Sequence, residues 1–472
     1  MRRWKNEGET HANLANMIWS TYAWTQVKAY CFVPTVWIFH SSNFSRVPIH
    51  NTSGHFPEKM TVPCDHSWNK TSFMNYHHSV AHRCQSSPSH PPVMKWTPQN
   101  ILKPQLISER FQFTRRLYSQ TPSEIHVKLW QMLHGNWTSA LVCGVIGLLS
   151  ITSSLYYRLP WTQLQACVLF GSIFCLNYDF ILWCNKRAQL EQLFTKLTEC
   201  ALLLEQRSSD PQRFQMMRTT VRVRLLWLAL AGDIFFLIIL YLLFPLQRKV
   251  LTCPLPFLPE GHLYFWIAYI AQTTGTVQGP LGGFTFLALN FEVTLCLTAL
   301  LKVLAEQIER VEGRTDLNHL IHLHQLMLEE FVTFRELVSH VFSSFLLVTS
   351  STMVLSAYII LEVSFELLWV FLIPSLMGFV GVPCILAEMI SVASAGVGHS
   401  AYGSPWIGKD RSIINDLTSI IRRSQRSCRL RAGMFGSLGV AKYQQVVKRY
   451  YQFLQALQNL SWKIWISCEF LQ

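Results

Sequence analysis

From residue 137 onward, the chain repeatedly contains apolar stretches long enough to cross a lipid bilayer, which takes about 20 residues per helix. The candidate spans lie at about 137–157, 161–183, 222–245, 264–300, 339–362, 367–391 and 436–460. Only 14% of the residues are charged, against about a quarter in an ordinary soluble domain. The sequence therefore predicts an all-α membrane protein with seven transmembrane helices. The fourth stretch is overlong and interrupted by Gly, Thr and Pro280, so we expect either one kinked or tilted helix or two short ones.

The orientation follows from Lys and Arg, which favour the cytoplasmic side of a membrane. The segment before the first span and the loops at 184–221, 301–338 and 392–435 carry 14, 6, 4 and 7 of these residues, whereas the alternate loops and the C-terminal tail carry 1, 2, none and 1. We therefore predict a cytoplasmic N-terminus and an extracellular C-terminus. Apolar residues three and four apart also predict long cytoplasmic helical extensions at 186–206 and 301–313.

The N-terminal region differs from the rest of the chain in composition. Residues 1–120 are rich in His, Pro, Ser and Asn and have little periodicity, so we predict an atypical, poorly ordered segment there. The stretch 17–39 is a weak candidate for an eighth span. The predicted division is 1–120 for this segment and 121–472 for the seven-helix transmembrane domain.

Several functional classes find no support in the sequence. P-loop, G-x-S-x-G, H-E-x-x-H and dinucleotide-binding motifs are missing, so we predict that the protein is not an enzyme and uses no cofactor. The net charge is +13, and the basic residues lie beside the apolar segments. This placement indicates membrane topology and not nucleic-acid binding. A Cys/His cluster at 64–84 and the trio His319, His322 and His324 lack a metal-binding pattern, and we predict no metal site. Cys143, Cys167, Cys175, Cys296 and Cys384 fall in apolar runs, as small buried hydrophobes do.

The last candidate span is half polar. One helical stripe carries polar residues at spacings of three and four, namely Gln445, Lys448, Gln452, Gln455 and Asn459. The opposite face is apolar from Tyr443 to Leu460. Because unsatisfied polar groups cost several kcal/mol each in hydrocarbon, a spanning helix of this kind must turn its stripe toward water or polar partners. A water-filled pore meets that need, and an amphipathic helix on the membrane surface is the alternative.

Carboxylates in the second, third and fourth predicted spans are Asp179, Asp233 and Glu292. Such residues mark ion-coupled transport or a buried hydrogen bond between helices. For Asp233, in the third span, we favour a packing role as a hydrogen-bonded group. A secondary transporter is a weak alternative, because only the fourth span is interrupted.

Three short motifs resemble the insect odorant receptors, in the same order and spacing. The stretch "SAGVGHSAYGSPW" places Ser394, Tyr402 and Trp406 at positions of the family pattern, and "LRAGMF" supplies Leu430, Ala432, Gly433 and Phe435. "VVKRYYQFLQAL" follows, in which Lys448, Tyr451, Phe453 and Leu457 match. The resemblance covers about 330 residues from Trp137 onward and agrees with the predicted topology.

The resemblance implies an odorant-gated, non-selective cation channel subunit in the plasma membrane of sensory neuron dendrites, where it detects small volatile apolar molecules. It implies a heterotetramer with an obligate co-receptor, embedded in membrane lipid, with the last helix lining the pore. Ligands would bind in the outer half of the membrane. The candidate ligand-binding residues there are Trp161, Phe170, Phe236, Tyr241, Tyr264, Trp266, Tyr269, Gln272, Thr273 and Trp369.

Two other chemoreceptor classes remain as alternatives. A gustatory-type receptor channel shares the orientation but lacks a match to its Thr-Tyr signature in the final span. A G-protein-coupled receptor has its N-terminus outside, contrary to the loop charges.

Overall fold

A computed structural model describes residues 105–119, 185–248, 262–362 and 367–470, together with the single residues Val145 and Leu182. The described residues are mainly α-helical. The helices are α1 (Ile107–Leu117), α2 (Arg187–Arg207), α3 (Asp210–Arg248), α4 (His262–Glu309), α5 (Arg314–Glu362), α6 (Leu367–Gly403), α7 (Arg411–Ser424) and α8 (Val440–Phe470), with a 3-10 turn at Gly433–Phe435. The spans predicted at 137–157 and 161–183, and the stretch 17–39, lie outside the described residues.

Four of these helices contain segments long and apolar enough to cross a membrane, at Asp210–Leu243, Gly282–Glu309, Arg314–Ala357 and Phe371–Gly403. The most apolar window of the α4 segment is 89% buried inside the protein, whereas that of α3 is only 28% buried. The apolar surface of α3 therefore lies on the outside, where lipid surrounds a membrane protein, and α4 forms the centre of the bundle. This architecture confirms the predicted all-α membrane fold.

The helices extend beyond the predicted spans. Residues 186–206 form α2, and 301–313 include the last turns of α4, so the predicted helical extensions are confirmed. Helix α4 is a single element of 48 residues. The interruption by Gly and Pro280 therefore does not divide it, and the alternative of two short helices was wrong.

Helix α1 was not predicted, although it lies deep in the core. Its Ile107 and Phe111 are fully buried and pack with α2, where Phe111 meets Phe194 at a ring distance of 5.8 Å. Arg110 forms an ion pair of 2.8 Å with Glu292 of α4, and both side chains are almost completely buried. Thr114 donates a hydrogen bond to the other oxygen of Glu292. Glu292, the carboxylate of the predicted fourth span, therefore neutralises a buried arginine.

Local sequence chemistry explains where helices begin and pack. The Ser209 backbone N–H donates to Gln212 Oε1 at 3.1 Å, half of a capping box that starts α3. At the contact of α6 and α7, a Cβ on Gly398 would lie 2.8 Å from Ser424 Cβ. Only glycine allows the two helices to approach so closely. Cys296 and Cys384 are fully buried, which confirms their prediction as small core residues.

His324 lies buried in the first half of α5, before the span predicted at 339–362, and is expected to make stability depend on pH. Burial, reinforced by the positive charge of Arg423, lowers the pKa of His324 from 6.5 to about 4. The unfolded chain therefore takes up a proton as the pH falls below 6.5, while the folded protein does not. The contribution of His324 to the free energy of unfolding is therefore greatest at neutral pH and above. About 2 kcal/mol of it is lost as the pH falls from about 7.5 to about 5.

The measurement is the apparent Tm of the purified protein at about pH 7.5 and at about pH 5. His324→Leu should remove most of the pH dependence, because it removes the titrating imidazole. The substitution breaks no hydrogen bond of the Nε2 atom, which has no partner among the described residues. His322→Leu, at a half-buried position on the same helix, serves as the control and should leave the pH dependence in place. An unchanged pH dependence in the His324 variant would refute the assignment.

Candidate functional site

The turn between α7 and α8, residues 425–439, is a compact hairpin that fixes where the last helix begins. Its two arms meet at the pair Arg431 and Ser437. The Ala432 N–H donates to the carbonyl of Gly436 at 2.8 Å, and the Leu438 N–H donates to the carbonyl of Leu430 at 2.9 Å. Leu430, Ala432 and Leu438 are buried. The motif residues Leu430 and Ala432 therefore hold the hairpin against the helix bundle.

The hairpin is attached to both α5 and α6. Ser394 Oγ of α6 accepts a hydrogen bond of 3.3 Å from the Cys428 N–H, and Ser339 Oγ of α5 accepts one of 3.1 Å from the Gly433 N–H. Gly433 has a φ of +45°, and a Cβ there would lie 3.0 Å from Ser343 Cβ. The motif residues Ser394 and Gly433 thus hold the start of α8 against two of the membrane helices.

Gly433→Ala is expected to destabilise the protein by about 1–3 kcal/mol, because alanine is strained at this φ and its methyl group presses on Ser343. The loss would appear as a lower apparent Tm of the purified receptor. Gly396→Ala provides a matched control, because a Cβ on Gly396, within α6, would meet no atom of the described residues within 4 Å. This control should be neutral or slightly stabilising. Equal Tm values for the two variants would contradict the role assigned to Gly433.

Helix α8 runs back along α6 in the antiparallel direction. At its start, a Cβ on Gly439 would lie 2.7 Å from Glu388 Oε2, and one turn later the Tyr443 ring lies 3.1 Å from the corresponding position on Gly381. Moving forward along α8 therefore means moving backward along α6, which contains a candidate span. With 31 residues, α8 is about 46 Å long, enough to cross a bilayer.

The two faces of α8 have different surroundings. Tyr443 and Val446 pack against the core, and Tyr450 is buried. The five stripe residues Gln445, Lys448, Gln452, Gln455 and Asn459 are all exposed. Phe453, which the sequence places on the apolar face, is also exposed. The described part of α8 thus presents its polar stripe away from its own bundle.

The exposed surface of α3 gives a clear contrast. Along its apolar part, its exposed large residues are Leu225, Leu228, Phe235, Phe236, Ile239 and Leu243. A surface of this kind suits hydrocarbon, whereas exposed glutamine and lysine on a membrane-length helix require water or polar partners.

The candidate ligand-binding residues of the outer half lie on helices that contact one another. Phe236 of α3 meets Phe371 of α6 edge to face at 5.3 Å, and the Tyr269 hydroxyl of α4 donates to the Leu242 carbonyl of α3 at 3.2 Å. Trp266 packs on Tyr269 at 5.9 Å but is half exposed, and Tyr241 is buried. The structure therefore places Phe236 at a contact between α3 and α6 and Tyr269 at a contact between α3 and α4.

The structure describes less about five other candidate ligand-binding residues. Thr273 is half-buried on α4, and its hydroxyl has no hydrogen-bond partner among the described residues. Gln272 and Trp369 lie on α4 and α6, but only their backbones are described. Trp161 and Phe170 lie outside the described residues.

Asp233 lies on α3 and joins that helix to α6. The Ser375 hydroxyl donates a hydrogen bond of 2.9 Å to Asp233 Oδ1. The Phe236 and Phe371 pair lies about one helical turn away on the same two helices. This is the interhelical hydrogen bond that the packing interpretation of Asp233 predicts.

Two further motif residues are exposed. Tyr402 is 69% exposed at the end of α6, and its carbonyl accepts a hydrogen bond of 3.0 Å from Trp406 Nε1. Tyr451 is 60% exposed beside the polar stripe. Contacts with α6 and α5 therefore account for Ser394 and Gly433, but no such contact accounts for the exposed side chains of Tyr402 and Tyr451.

Comparison with known proteins supplies the family. A family model described as 7tm Odorant receptor matches residues 162–451. The fold is similar to two solved structures of the insect olfactory receptor OR5 from Machilis hrabei. The structure in complex with eugenol has a TM-score of 0.58 and 13% sequence identity, covering 75% of this chain and 97% of that one. The second has a TM-score of 0.58 and 14% identity, covering 74% and 96%. No curated protein sequence matches the chain significantly.

Proposed function

Because the chain belongs to the 7tm odorant receptor family, we propose that it is the odorant-binding subunit of a ligand-gated, non-selective cation channel. As a family member it is an odorant receptor and a multi-pass helical membrane protein, and the prediction that it is not an enzyme is confirmed. The proposal adds channel activity, assembly with an obligate co-receptor as a heterotetramer, and a location in the plasma membrane of sensory neuron dendrites.

The observation that carries the proposal is the exposed polar stripe of α8. Gln445, Lys448, Gln452, Gln455 and Asn459 point away from the protein's own core, while Tyr443 and Tyr450 point into it. A membrane-crossing helix with this arrangement needs a polar environment on its outer side. A central pore shared by several subunits provides that environment for each of them.

Lys448 and the adjacent Arg449 place positive charge on the exposed surface of α8. Positive charge in a pore opposes the passage of cations. Both residues lie in the first third of the helix, which the orientation proposed from the loop charges puts near the cytoplasmic side. We propose that they lie at the wide inner mouth of the pore, where co-receptor subunits supply most of the wall and water screens their charge.

The proposed ligand is a small volatile apolar odorant that binds between the outer halves of the helices. The aromatic contacts between Phe236 and Phe371, and the position of Tyr269 against α3, support a mostly hydrophobic site with few polar groups. The OR5 structure from Machilis hrabei contains eugenol. Binding would open the pore only to the extent that the ligand prefers the open arrangement of α3, α4 and α6.

Assembly with a co-receptor is supported by exposed apolar residues near both ends of α7. Tyr402, Ile407 and Met434 are 69%, 83% and 88% exposed, and the loops that contain them are predicted to be cytoplasmic. Large exposed apolar residues are common where one protein contacts another. We propose that this surface contacts the neighbouring subunit below the membrane.

The test is expression in a cell that lacks other odorant receptors, with and without an insect co-receptor, followed by current recording over an odorant panel. The proposal predicts odorant-evoked cation current only when both subunits are present. The co-receptor expressed alone is the control. A receptor that reaches the cell surface and evokes current without the partner would contradict the heteromer, and a receptor that responds only through a G protein would contradict the channel.

A further inference from the structure

A basic surface lies along the end of α7 and the first arm of the hairpin that follows it. Residues 417–468 contain no Asp or Glu. The basic surface consists of five arginines in the first part of this stretch, all of them exposed, namely Arg422, Arg423, Arg426, Arg429 and Arg431. None of the five forms an ion pair within the part of the chain that the structure describes. Their guanidinium groups are therefore available to an anion from outside the chain.

The hairpin fixes the backbone from which two of these arginines project. Leu430 and Ala432 are buried, and both take part in the hydrogen bonds that close the hairpin. Arg429 and Arg431 alternate with them along the chain and are exposed. The planar fork of a guanidinium matches the oxygens of a phosphate. An arginine on a fixed backbone also loses less freedom on binding than one on a mobile segment.

The basic surface lies at the depth where two membrane helices leave the bilayer. Spans predicted from the sequence begin at Ser339 in α5 and end at Ser391 in α6. The corresponding helical segments, Arg314–Ala357 and Phe371–Gly403, have 44 and 33 residues, whereas the hydrocarbon core accommodates about 20. Both segments therefore extend beyond the core, and in the proposed orientation they do so on the cytoplasmic side.

The hairpin is bonded to both helices at this depth. Ser391 Oγ donates a hydrogen bond of 3.1 Å to Ser427 Oγ, and Ser427 directly follows Arg426. In α5, Ser339 Oγ accepts the bond of 3.1 Å from the Gly433 N–H. These contacts are made at the predicted inner ends of the two spans. The basic surface therefore lies at the level of the headgroups of the cytoplasmic leaflet.

Carboxylates near the hairpin do not cancel this charge. Glu388 of α6 lies at the opposite end of the hairpin, beside the start of α8, and Glu336 of α5 lies 4.0 Å from Arg335. Arg335 and Arg423 are both close enough to the Cys428 thiol to act on it electrostatically. Cations from α5, α7 and the hairpin therefore lie near one another, and the surface is positive overall.

We propose that the basic surface binds the polyphosphorylated headgroup of a phosphoinositide in the cytoplasmic leaflet. Several phosphate groups on one headgroup accept charge-assisted hydrogen bonds from several arginines on one fixed surface. The acyl chains stay in the leaflet, so the site needs no cavity in the protein. The lipid thereby joins the membrane to the hairpin that fixes the start of α8. The inference depends on the proposed orientation but not on channel activity or on any odorant.

The experiment uses the full-length receptor in phosphatidylcholine vesicles that contain phosphatidylinositol bisphosphate and phosphatidylserine at equal total charge. After extraction in mild detergent, the lipids retained per receptor are counted by mass spectrometry. The wild-type receptor should retain phosphatidylinositol bisphosphate in preference to both other lipids. The double variant Arg429→Gln/Arg431→Gln should lower this retention by about 30-fold, since each cation at the membrane surface contributes a factor of about five.

The double variant Arg310→Gln/Arg314→Gln is the matched control. It removes equal charge from two exposed positions at the turn between α4 and α5. Arg314 begins α5, about 37 Å along the helix from Ser339 and therefore well below the headgroups. The control should retain the lipid as the wild type does. Because all four side chains are exposed, both double variants should keep the apparent Tm of the wild type.

A competition experiment tests the source of the phosphate without any substitution. Free inositol trisphosphate, which has the headgroup without acyl chains, should not displace the lipid at the same total concentration, because the leaflet concentrates the lipid beside its site. Displacement would point to a soluble phosphate compound and overturn the proposal.

The lipid counts overturn the proposal in three further ways. Equal retention of phosphatidylserine would mean that the surface attracts only the general charge of the bilayer. The proposal also fails if the Arg429/Arg431 variant keeps the lipid, or if the Arg310/Arg314 control loses as much. Because the readout is a lipid count, these outcomes are distinct from failure to record odorant-evoked current.

Discussion

Arg110→Leu is expected to destabilise the receptor by about 3–5 kcal/mol, because it leaves Glu292 buried without its ion-pair partner. Glu292 is 0% exposed and receives the 2.8 Å contact from Arg110 Nη2. Arg110 also lies 4.4 Å from the centre of the Trp227 ring, which adds a cation–π contact. Thr114 still donates to Glu292 in the variant, so we expect the lower end of this range.

The double variant Arg110→Leu/Glu292→Leu removes both charges and should recover much of the loss, because a buried ion pair and an apolar pair of similar volume are often nearly equal in stability. The apparent Tm of the single and double variants, measured on purified receptor, gives the coupling between the two positions. Gln112→Ala, at an exposed position of the same helix, is the control and should change the Tm little. Strictly additive effects of the two leucine substitutions would show that the pair does not hold α1 in place.

Gln452→Cys is expected to make the odorant-evoked current sensitive to a membrane-impermeant, positively charged thiol reagent. Gln452 lies in the middle of the polar stripe and is exposed. A bulky positive group there would obstruct the pore and repel cations, so most of the current should be lost on modification. The recording uses the receptor expressed with its co-receptor, before and after the reagent is applied.

Val446→Cys is the matched control, because Val446 is half-buried and packs against the core on the other side of α8. It should react slowly or not at all. The unmodified receptor controls for native thiols, of which Cys200, Cys296, Cys384 and Cys428 are buried. A reagent that blocks the Val446 variant and spares the Gln452 variant would place the opposite face of α8 in water.

Elements specified by local sequence pattern were predictable. The spacing of apolar residues was sufficient to predict α2 and the C-terminal end of α4, because the buried face of each helix repeats with the helical period. The same periodicity separated the packed face of α8, with Tyr443 and Val446, from the exposed stripe. Phe453 is the exception, since it lies where the two faces meet.

Helix α1 depends on distant residues and was missed for that reason. It has 11 residues, too few to stand out by periodicity. Ser108 bonds to Glu205 and Arg110 to Glu292, which follow them by 97 and 182 positions. The only local signal was the spacing of Ile107, Phe111 and Thr114, which places them on one helical face. Such a short pattern within a polar segment does not reveal that an arginine has a buried partner.

The candidate site also combines features that local sequence predicts with contacts that depend on distant residues. Residue type and spacing identified the polar stripe, but the contacts that anchor α8 depend on the positive φ of Gly433 and on Ser339 and Ser394 from two other helices. Asp233 could be identified as a carboxylate within a predicted span, whereas its partner Ser375 lies 142 positions away. Pairings of this kind require the fold.

The central claim is that α8 crosses the bilayer with its polar stripe toward water, and the position of the C-terminus tests it most directly. An epitope placed after Gln472 and another placed before Met1 are stained on intact and on permeabilised cells. The account predicts that the C-terminal epitope is stained on intact cells and that the N-terminal epitope requires permeabilisation. A C-terminal epitope that is stained only after permeabilisation would mean that α8 does not cross the membrane in the proposed orientation.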